Sequence, residues 1–274
     1  MKKLSRGLLF LVMVLTVSVV LVGCGDPEYD KAEKEFNVAV KQVKTQVKNK
    51  NAAVKEAEKV LKKKEKALEP KAEEDLKVTI EKAKKTKVEI PDIPSETKEV
   101  KKKTEELKKV NYSVLVSDIN NKKEALIKSR KQYKQITGPS EEFVLSRLKR
   151  VKNIKKAEPV NEKTDTNGLL NKQGGYTSAI FFSSKWINPK KEFLTGDVLE
   201  DGTDGGGCIE VFKTEKDAQT RNNYLASFDA TGALASGSHN VYGTVLIRTS
   251  NILPASKQNK LEKAIYDALV KLED

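Results

Sequence analysis

The stretch Ile136-Thr137-Gly138-Pro139-Ser140-Glu141-Glu142-Phe143 divides the chain into two kinds of sequence. Gly138 and Pro139 end a helix arriving from the N-terminal side, and Ser140 followed by two acidic residues is the start signature of a new one. Residues 25–138 carry 30 Lys and Arg against 21 Asp and Glu, a net of +9, whereas residues 139–274 carry 19 against 18, a net of +1. Of the eight Phe only Phe36 lies in the basic segment, and the single Trp lies beyond it. A Lys-rich segment so poor in aromatic residues cannot bury a large core. The globular part is therefore expected after residue 139, and a non-globular helical part before it.

Upstream of the break, Phe36, Val40, Val43, Val47, Val54, Ala57, Leu61 and Leu68 keep an a/d heptad spacing, with Lys50 and Lys64 at the two missing positions. This predicts one helix over residues 29–68, stopped at Pro70. Val100, Leu107 and Val114, joined by Val110, and then Ile119, Leu126 and Tyr133 after a shift in phase predict a second over residues 95–136, with Ser95 as its N-cap. A shorter helix over residues 73–85 and the breaker Ile90-Pro91-Asp92-Ile93-Pro94 lie between them. Helices of about 40 residues span roughly 60 Å, and a seam this narrow needs a partner. A long helical hairpin within one chain satisfies both; self-association as a coiled coil is the alternative. Such a segment reads as a solvated stalk. Lys62-Lys63-Lys64 and Lys101-Lys102-Lys103 also offer a field that attracts an anionic wall polymer or lipid head groups. Nucleic acid is not expected as a partner, since stacking aromatics are nearly absent.

Downstream the pattern is mixed. Phe143, Val144, Leu148 and Val151 give the apolar face of the helix that Ser140 caps. Residues 176–182 and 208–213 read as strands, and Thr214 caps a helix bearing Ala218, Tyr224, Leu225 and Phe228. Residues 240–248 read as one further strand. A last helix over residues 255–272 carries Leu261, Ile265, Leu269 and Leu272 on one face. The order predicts a small α+β sandwich with helices on one sheet face, with which a ferredoxin-like arrangement is compatible.

The chain opens with a basic start (Lys2, Lys3, Arg6), an apolar run over residues 7–22 and small Gly23 before Cys24. That is the layout of an export signal, and the run is shorter than a comfortable bilayer span. The segment Leu21-Val22-Gly23-Cys24 resembles the lipobox of bacterial lipoproteins. By that resemblance the chain is cut before Cys24, whose thiol takes a diacylglyceryl group and anchors the protein at the outer face of the cell membrane. The expected organisation is a signal peptide at 1–23, a Lys-rich helical stalk at 24–138 and an α+β module at 139–274. With Cys24 so used, Cys208 has no disulfide partner.

The module resembles a domain of Gram-positive bacterial surface lipoproteins. The resemblance rests on Asp165-Thr166-Asn167-Gly168, Asn171-Lys172-Gln173-Gly174-Gly175-Tyr176-Thr177 and Gly202-Thr203-Asp204-Gly205-Gly206-Gly207. It extends through Tyr224-Leu225-Ala226-Ser227-Phe228-Asp229, Gly237-Ser238-His239 and Gly243-Thr244-Val245-Leu246-Ile247-Arg248-Thr249-Ser250. Some relatives carry the label extracellular-matrix-binding protein. The resemblance implies an exported module, with an extracellular protein or wall polymer as partner, and implies no reaction.

Reactive groups are few. His239 is the only histidine, and a Cys208–His239 dyad is the one nucleophilic pairing available; the plainer reading is a small residue opening a strand and an exposed loop histidine. Asp165, Asn167, Asp201 and Asp204 are oxygen donors in Gly-bearing loops, but their spacing does not match an EF-hand, and Asx turns are the simpler account of them. Gly202 to Gly207 lacks the Gly-Lys-Ser/Thr ending of a phosphate loop and reads as a hairpin or bulge. Trp186, Asp204 and Arg248 are the candidate ligand contacts. Trp186 reads equally as an exposed anchor or as core. Arg248 and Arg221 read as anion contacts or as an internal ion pair. No cofactor and no catalytic residue is expected. The primary expectation is a non-catalytic binding module on a stalk. A wall-modifying or thiol-dependent enzyme, and a spacer or regulator docking on a membrane complex, are the alternatives.

Overall fold

Among the described residues four helices precede the Gly138-Pro139 break, where the heptad pattern asked for two long ones and a short one. They are α1 (Pro27–Lys62), α2 (Lys71–Lys85), α3 (Thr97–Lys108) and α4 (Ser113–Gln135). The computed structural model describes residues 26–229 and 237–273; the expected signal segment and Cys24 lie outside the described residues. No described helix is long and apolar enough to cross a membrane. Residues 26–48 and 87–112 form one compact unit, and residues 49–86 and 113–273 form the other.

In the first unit the early part of α1 buries Ala32, Phe36, Ala39 and Val43 with Val100 and Leu107 of α3. The Pro-rich breaker is held in place by Tyr29, whose hydroxyl donates to the Pro94 carbonyl at 2.9 Å. The expected second long helix is interrupted between Lys108 and Ser113. There the Gln46 side chain supplies the hydrogen bonds that a continuing helix would have made. Its amide donates to the Val110 carbonyl at 3.0 Å and its oxygen accepts from the Tyr112 N–H at 2.9 Å. The break removes Val114 from the seam, leaving it 77% exposed. Ser95 is not the cap either: Glu96 holds that position, without a side-chain cap bond.

In the second unit the later part of α1 packs with α2 and α4 through Val54, Ala57, Leu76, Ile80, Ala83, Ile119 and Leu126. Lys50, one of the two stripe positions without an apolar residue, is nonetheless buried. Its ammonium donates to the Thr86 carbonyl at 2.6 Å, at the end of α2, where a cation suits the helix dipole and the aliphatic stem suits the seam. The helix α1 stops at Lys62, short of Leu68.

The same unit contains α5 (Glu141–Leu148), β1 (Ile154–Pro159), β2 (Tyr176–Ser184), α6 (Val198–Asp201), β3 (Gly206–Phe212), α7 (Glu215–Asp229), β4 (His239–Tyr242), β5 (Val245–Thr249) and α8 (Ala255–Val270). Ser140 caps α5 by accepting from the Phe143 N–H at 3.2 Å. Thr214 caps α7, accepting from the Asp217 N–H at 3.1 Å. Both were expected. The strand predicted at 240–248 is a hairpin instead. Gly243 turns it with φ +60°, a left-handed conformation, and a Cβ there would lie 2.3 Å from the Ile136 carbonyl oxygen. That carbonyl accepts from the Thr244 N–H at 2.9 Å, and the Gly138 N–H donates to the Thr244 hydroxyl at 2.7 Å. The opening segment thus docks on the β4–β5 turn. It marks a change of composition and not the boundary between compact units.

The five strands are antiparallel to their neighbours in the order β1-β2-β3-β5-β4. Period-2 alternation sends Ile180, Phe182, Ile209, Val211, Val245 and Ile247 to one face, against Val144 and Leu148 of α5 and Leu261, Ile265 and Leu269 of α8. Ala179, Phe181, Cys208 and Leu246 go to the other, against Ala218 and Leu225 of α7. Helices therefore cover both faces, where one was expected, because β2, β3 and β5 are apolar on both sides and a face left open would expose Phe181 and Leu246. The segment β3-α7-β4 is a split β-α-β unit around β5, which is half of a ferredoxin-like arrangement. The other half is not formed. The place beside β3 is taken by β2, and α7 and α8 lie on opposite faces.

Candidate functional site

On the α7 face of the sheet the buried positions are not all apolar. Glu210 of β3, with no exposed surface, sits between two arginines. Arg221 of α7 donates to its two oxygens at 3.1 and 3.3 Å, and Arg248 of β5 donates to Oε1 at 2.8 Å. The network continues outward. Arg221 also donates to the Asn167 side-chain oxygen at 3.1 Å, and the Asn167 amide donates to the Tyr176 hydroxyl at 3.4 Å. That hydroxyl donates to Asp165. Burial pushes the Arg248 guanidinium down, but the Glu210 carboxylate outweighs it and the net shift is upward. Arg248 and Arg221 are thus an internal ion network. Of the two readings the sequence left open, the anion contact is the one the geometry does not favour.

Two of the loop carboxylates, Asp165 and Asp201, are likewise engaged. Burial works to raise the Asp165 carboxyl, yet bonds from Tyr176, Leu170 and Asn167 hold it below its ordinary range. Asp201 accepts from the Thr195 N–H and hydroxyl, both at 2.8 Å, and from the Gly196 N–H at 2.9 Å. Asp204 is exposed in the turn before β3, and its carbonyl accepts from Ser250 at 2.9 Å. Asn167 faces Arg221. Asp165 and Asp201 therefore tie loop backbone, Asp204 does so only through its main chain, and among the described residues no cluster of three or more His, Cys, Asp or Glu side chains could hold a metal ion.

The thiol and the histidine are not brought together. Cys208 pairs across the sheet with Arg248, which pairs on its other side with His239. Two strand spacings, about 9–10 Å, separate their backbones. Cys208 is buried, and burial together with the Glu210 charge pushes its thiol well up, the opposite of an activated nucleophile. His239 is not the exposed loop residue expected. Its ring nitrogens lie 2.8 Å from the Asn222 side-chain oxygen and 3.0 Å from an Asp229 oxygen, joining β4 to α7. A second buried carboxylate lies on the opposite face. Glu262 of α8 accepts from Asn240 and Tyr242 at 2.7 Å each, and from Ser238.

What faces outward is Trp186. It is half-buried against the α8 core, and the ammonium groups of Lys257 and Lys260 lie 5.8 and 5.9 Å from its ring centre. Neither lysine has a carboxylate partner among the described residues. Both readings of Trp186 hold in part: it packs against the core and stays partly exposed. The two lysines were not singled out in the sequence. They are i,i+3 neighbours on the polar side of α8, and only the return of the 185–187 segment over that helix brings the indole to them. No protein-family model, no curated protein and no solved structure matches the chain.

Proposed function

We propose that the chain is a lipid-anchored surface lipoprotein of the outer membrane face, and that its α+β module is a non-catalytic binding module for an anionic extracellular polymer. The observation that carries the binding part is Trp186 beneath two ammonium groups that have no carboxylate partner among the described residues. An indole face packs against a sugar or polyol ring, and an ammonium beside it attracts phosphate or carboxylate. The distance between Cys208 and His239 weighs against the thiol enzyme. The anchor rests on Leu21-Val22-Gly23-Cys24 and the apolar run before it, and the likeness of the module's Gly-rich motifs to Gram-positive surface lipoproteins supports the same address. The Lys-rich helices serve in this reading as the stalk, alone or associated through their apolar seams.

Trp186 is the only tryptophan, so its fluorescence reports the site directly. Titration of the chain with a purified anionic wall polymer should shift or quench that emission saturably, and Lys257→Glu with Lys260→Glu should weaken the effect at least tenfold. Unchanged emission at polymer excess would overturn the binding site. Cells fed a labelled fatty acid should transfer the label to the chain and not to its Cys24→Ala variant; an unlabelled parent chain would overturn the anchor.

A further inference from the structure

Where the end of α1 meets α4 and the start of α7, a cavity of about 630 Å3 opens, all of it within the second compact unit. Its charge is one-sided. Lys63, Lys66, Arg130, Lys131 and Lys134 line it, against Glu65 and Glu215. Some of these are already spoken for. Lys66 donates to both oxygens of Glu215 at 2.8 and 2.9 Å, and Tyr133 donates to the same carboxylate. These bonds raise the Lys66 ammonium and lower the Glu215 carboxyl. Arg130 is buried, donating to the Val60 carbonyl at 2.7 Å and to Glu73 at 3.3 Å. That leaves Lys63, Lys131 and Lys134, none of which has a carboxylate partner among the described residues.

Some lysines on its helices answer a Glu three or four residues away, as in Lys59–Glu56, Lys77–Glu73 and Lys103–Glu106, and many do not; what sets these three apart is that they line one cavity. Lys131 and Lys134 are three apart on α4 and share one face of it, with Lys63 entering from the end of α1. Like charges gathered around a concave surface repel one another, and an anion between them removes that repulsion. Ammonium groups bind phosphate as point charges without the planar match an arginine requires.

From this we infer that the cavity is a binding site for a soluble phosphate ester, held by Lys63, Lys131 and Lys134, with the Lys66–Glu215–Tyr133 cluster forming one wall. The site goes beyond the surface reading and stands or falls separately from Trp186. A concave cavity admits a phosphate group on a flexible carrier more readily than the flat array of heads on a bilayer.

The test uses the chain from residue 25 onward, with tripolyphosphate as probe at low ionic strength, measured by calorimetry. The expectation is saturable one-site binding that weakens steeply with salt and falls at least tenfold in Lys131→Glu with Lys134→Glu. The control Lys41→Glu with Lys44→Glu, at two exposed positions of α1 away from the cavity and from Trp186, carries the same change in net charge and should leave the affinity within twofold. Thermal melts of both variants establish that the fold is kept; if the first variant does not fold, Lys63→Gln with Lys134→Gln replaces it. Absent or non-saturable binding overturns the site. An equal loss in both variants assigns the effect to overall charge and overturns it as well. Binding to phosphatidylglycerol vesicles without binding to tripolyphosphate replaces the soluble ester by a membrane and overturns the proposal.

Discussion

Replacing Glu210 by Gln keeps the shape of the side chain and removes the one charge that two buried guanidinium groups answer. Removal of one partner from a buried ion pair costs about 3–5 kcal/mol, most of it the penalty of the charge left behind. Two features set where this case falls. Two cations lose their counter-charge, and Arg248 Nε already has no hydrogen-bond partner among the described residues, which favours the upper end. Arg221 keeps its bond to Asn167, which favours the lower. A loss of about 4 kcal/mol in a unit of about 200 residues corresponds to a fall in Tm of roughly 10 °C. Urea is the proper denaturant, since guanidinium salt would screen the interaction under study. Trp186 fluorescence follows this unit alone, which matters because a chain of two compact units need not unfold in one step. The triple variant Glu210→Leu, Arg221→Met, Arg248→Leu should recover most of the loss, because a well-packed apolar replacement of a buried ion network is often neutral. A loss under about 1 kcal/mol in Glu210→Gln would refute the account of Glu210 as the charge that holds α7 to β3 and β5.

Three further outcomes follow from the geometry. Gly243→Ala places a Cβ against the Ile136 carbonyl in a left-handed turn, and should lower stability by about 2 kcal/mol or more in the same urea assay. Asp165 has a folded pKa below its unfolded one, so its contribution is full above the unfolded value of about 4 and is lost as pH falls through the folded value. Asp165→Asn should therefore destabilise the protein more at pH 7 than at pH 3, a contrast visible in two urea titrations. In a Cys24→Ser chain the Cys208 thiol should resist iodoacetamide for hours in native buffer and react fully in urea, as mass spectrometry would show; rapid native labelling would contradict its burial.

The module's elements were largely legible because their signals are local. Ser140 and Thr214 announce α5 and α7 through side chains that reach only three residues ahead. The face of α8 follows from the spacing of Leu261, Ile265 and Leu269. What escaped depends on distant partners. Val110 and Tyr112 look like helix residues until Gln46, more than sixty positions away, takes their backbone groups. The hairpin at Gly243 was hidden in a β-rich run, since a single Gly there is compatible with a continuous strand, and only the approach of Ile136 requires the left-handed turn. Helices on both sheet faces were foreshadowed by β3, whose residues are buried on both sides, as strands in covered sheets are.

The candidate sites divide along the same line. Glu210 stood in plain view as the one charge inside the apolar run Cys208-Ile209-Glu210-Val211-Phe212, and a charge at such a position must be paired. Pairing it with Arg221 and Arg248 would have settled those arginines as internal, because one carboxylate can answer both only where a helix and two strands converge. Outward-facing groups carry no such obligation. Nothing in the local sequence obliges Lys131, Lys134 or Lys257 to have or to lack a partner, and a solvated lysine is satisfied by water. Lysines without a carboxylate partner are common along these helices, and Lys63, Lys131 and Lys134 stand out only because the fold brings them to one cavity. In a chain this basic, convergence on a concave surface carries more information than the absence of a counter-charge. That is why charge reversal at the cavity, set against the same reversal at the exposed Lys41 and Lys44, separates a site from a field.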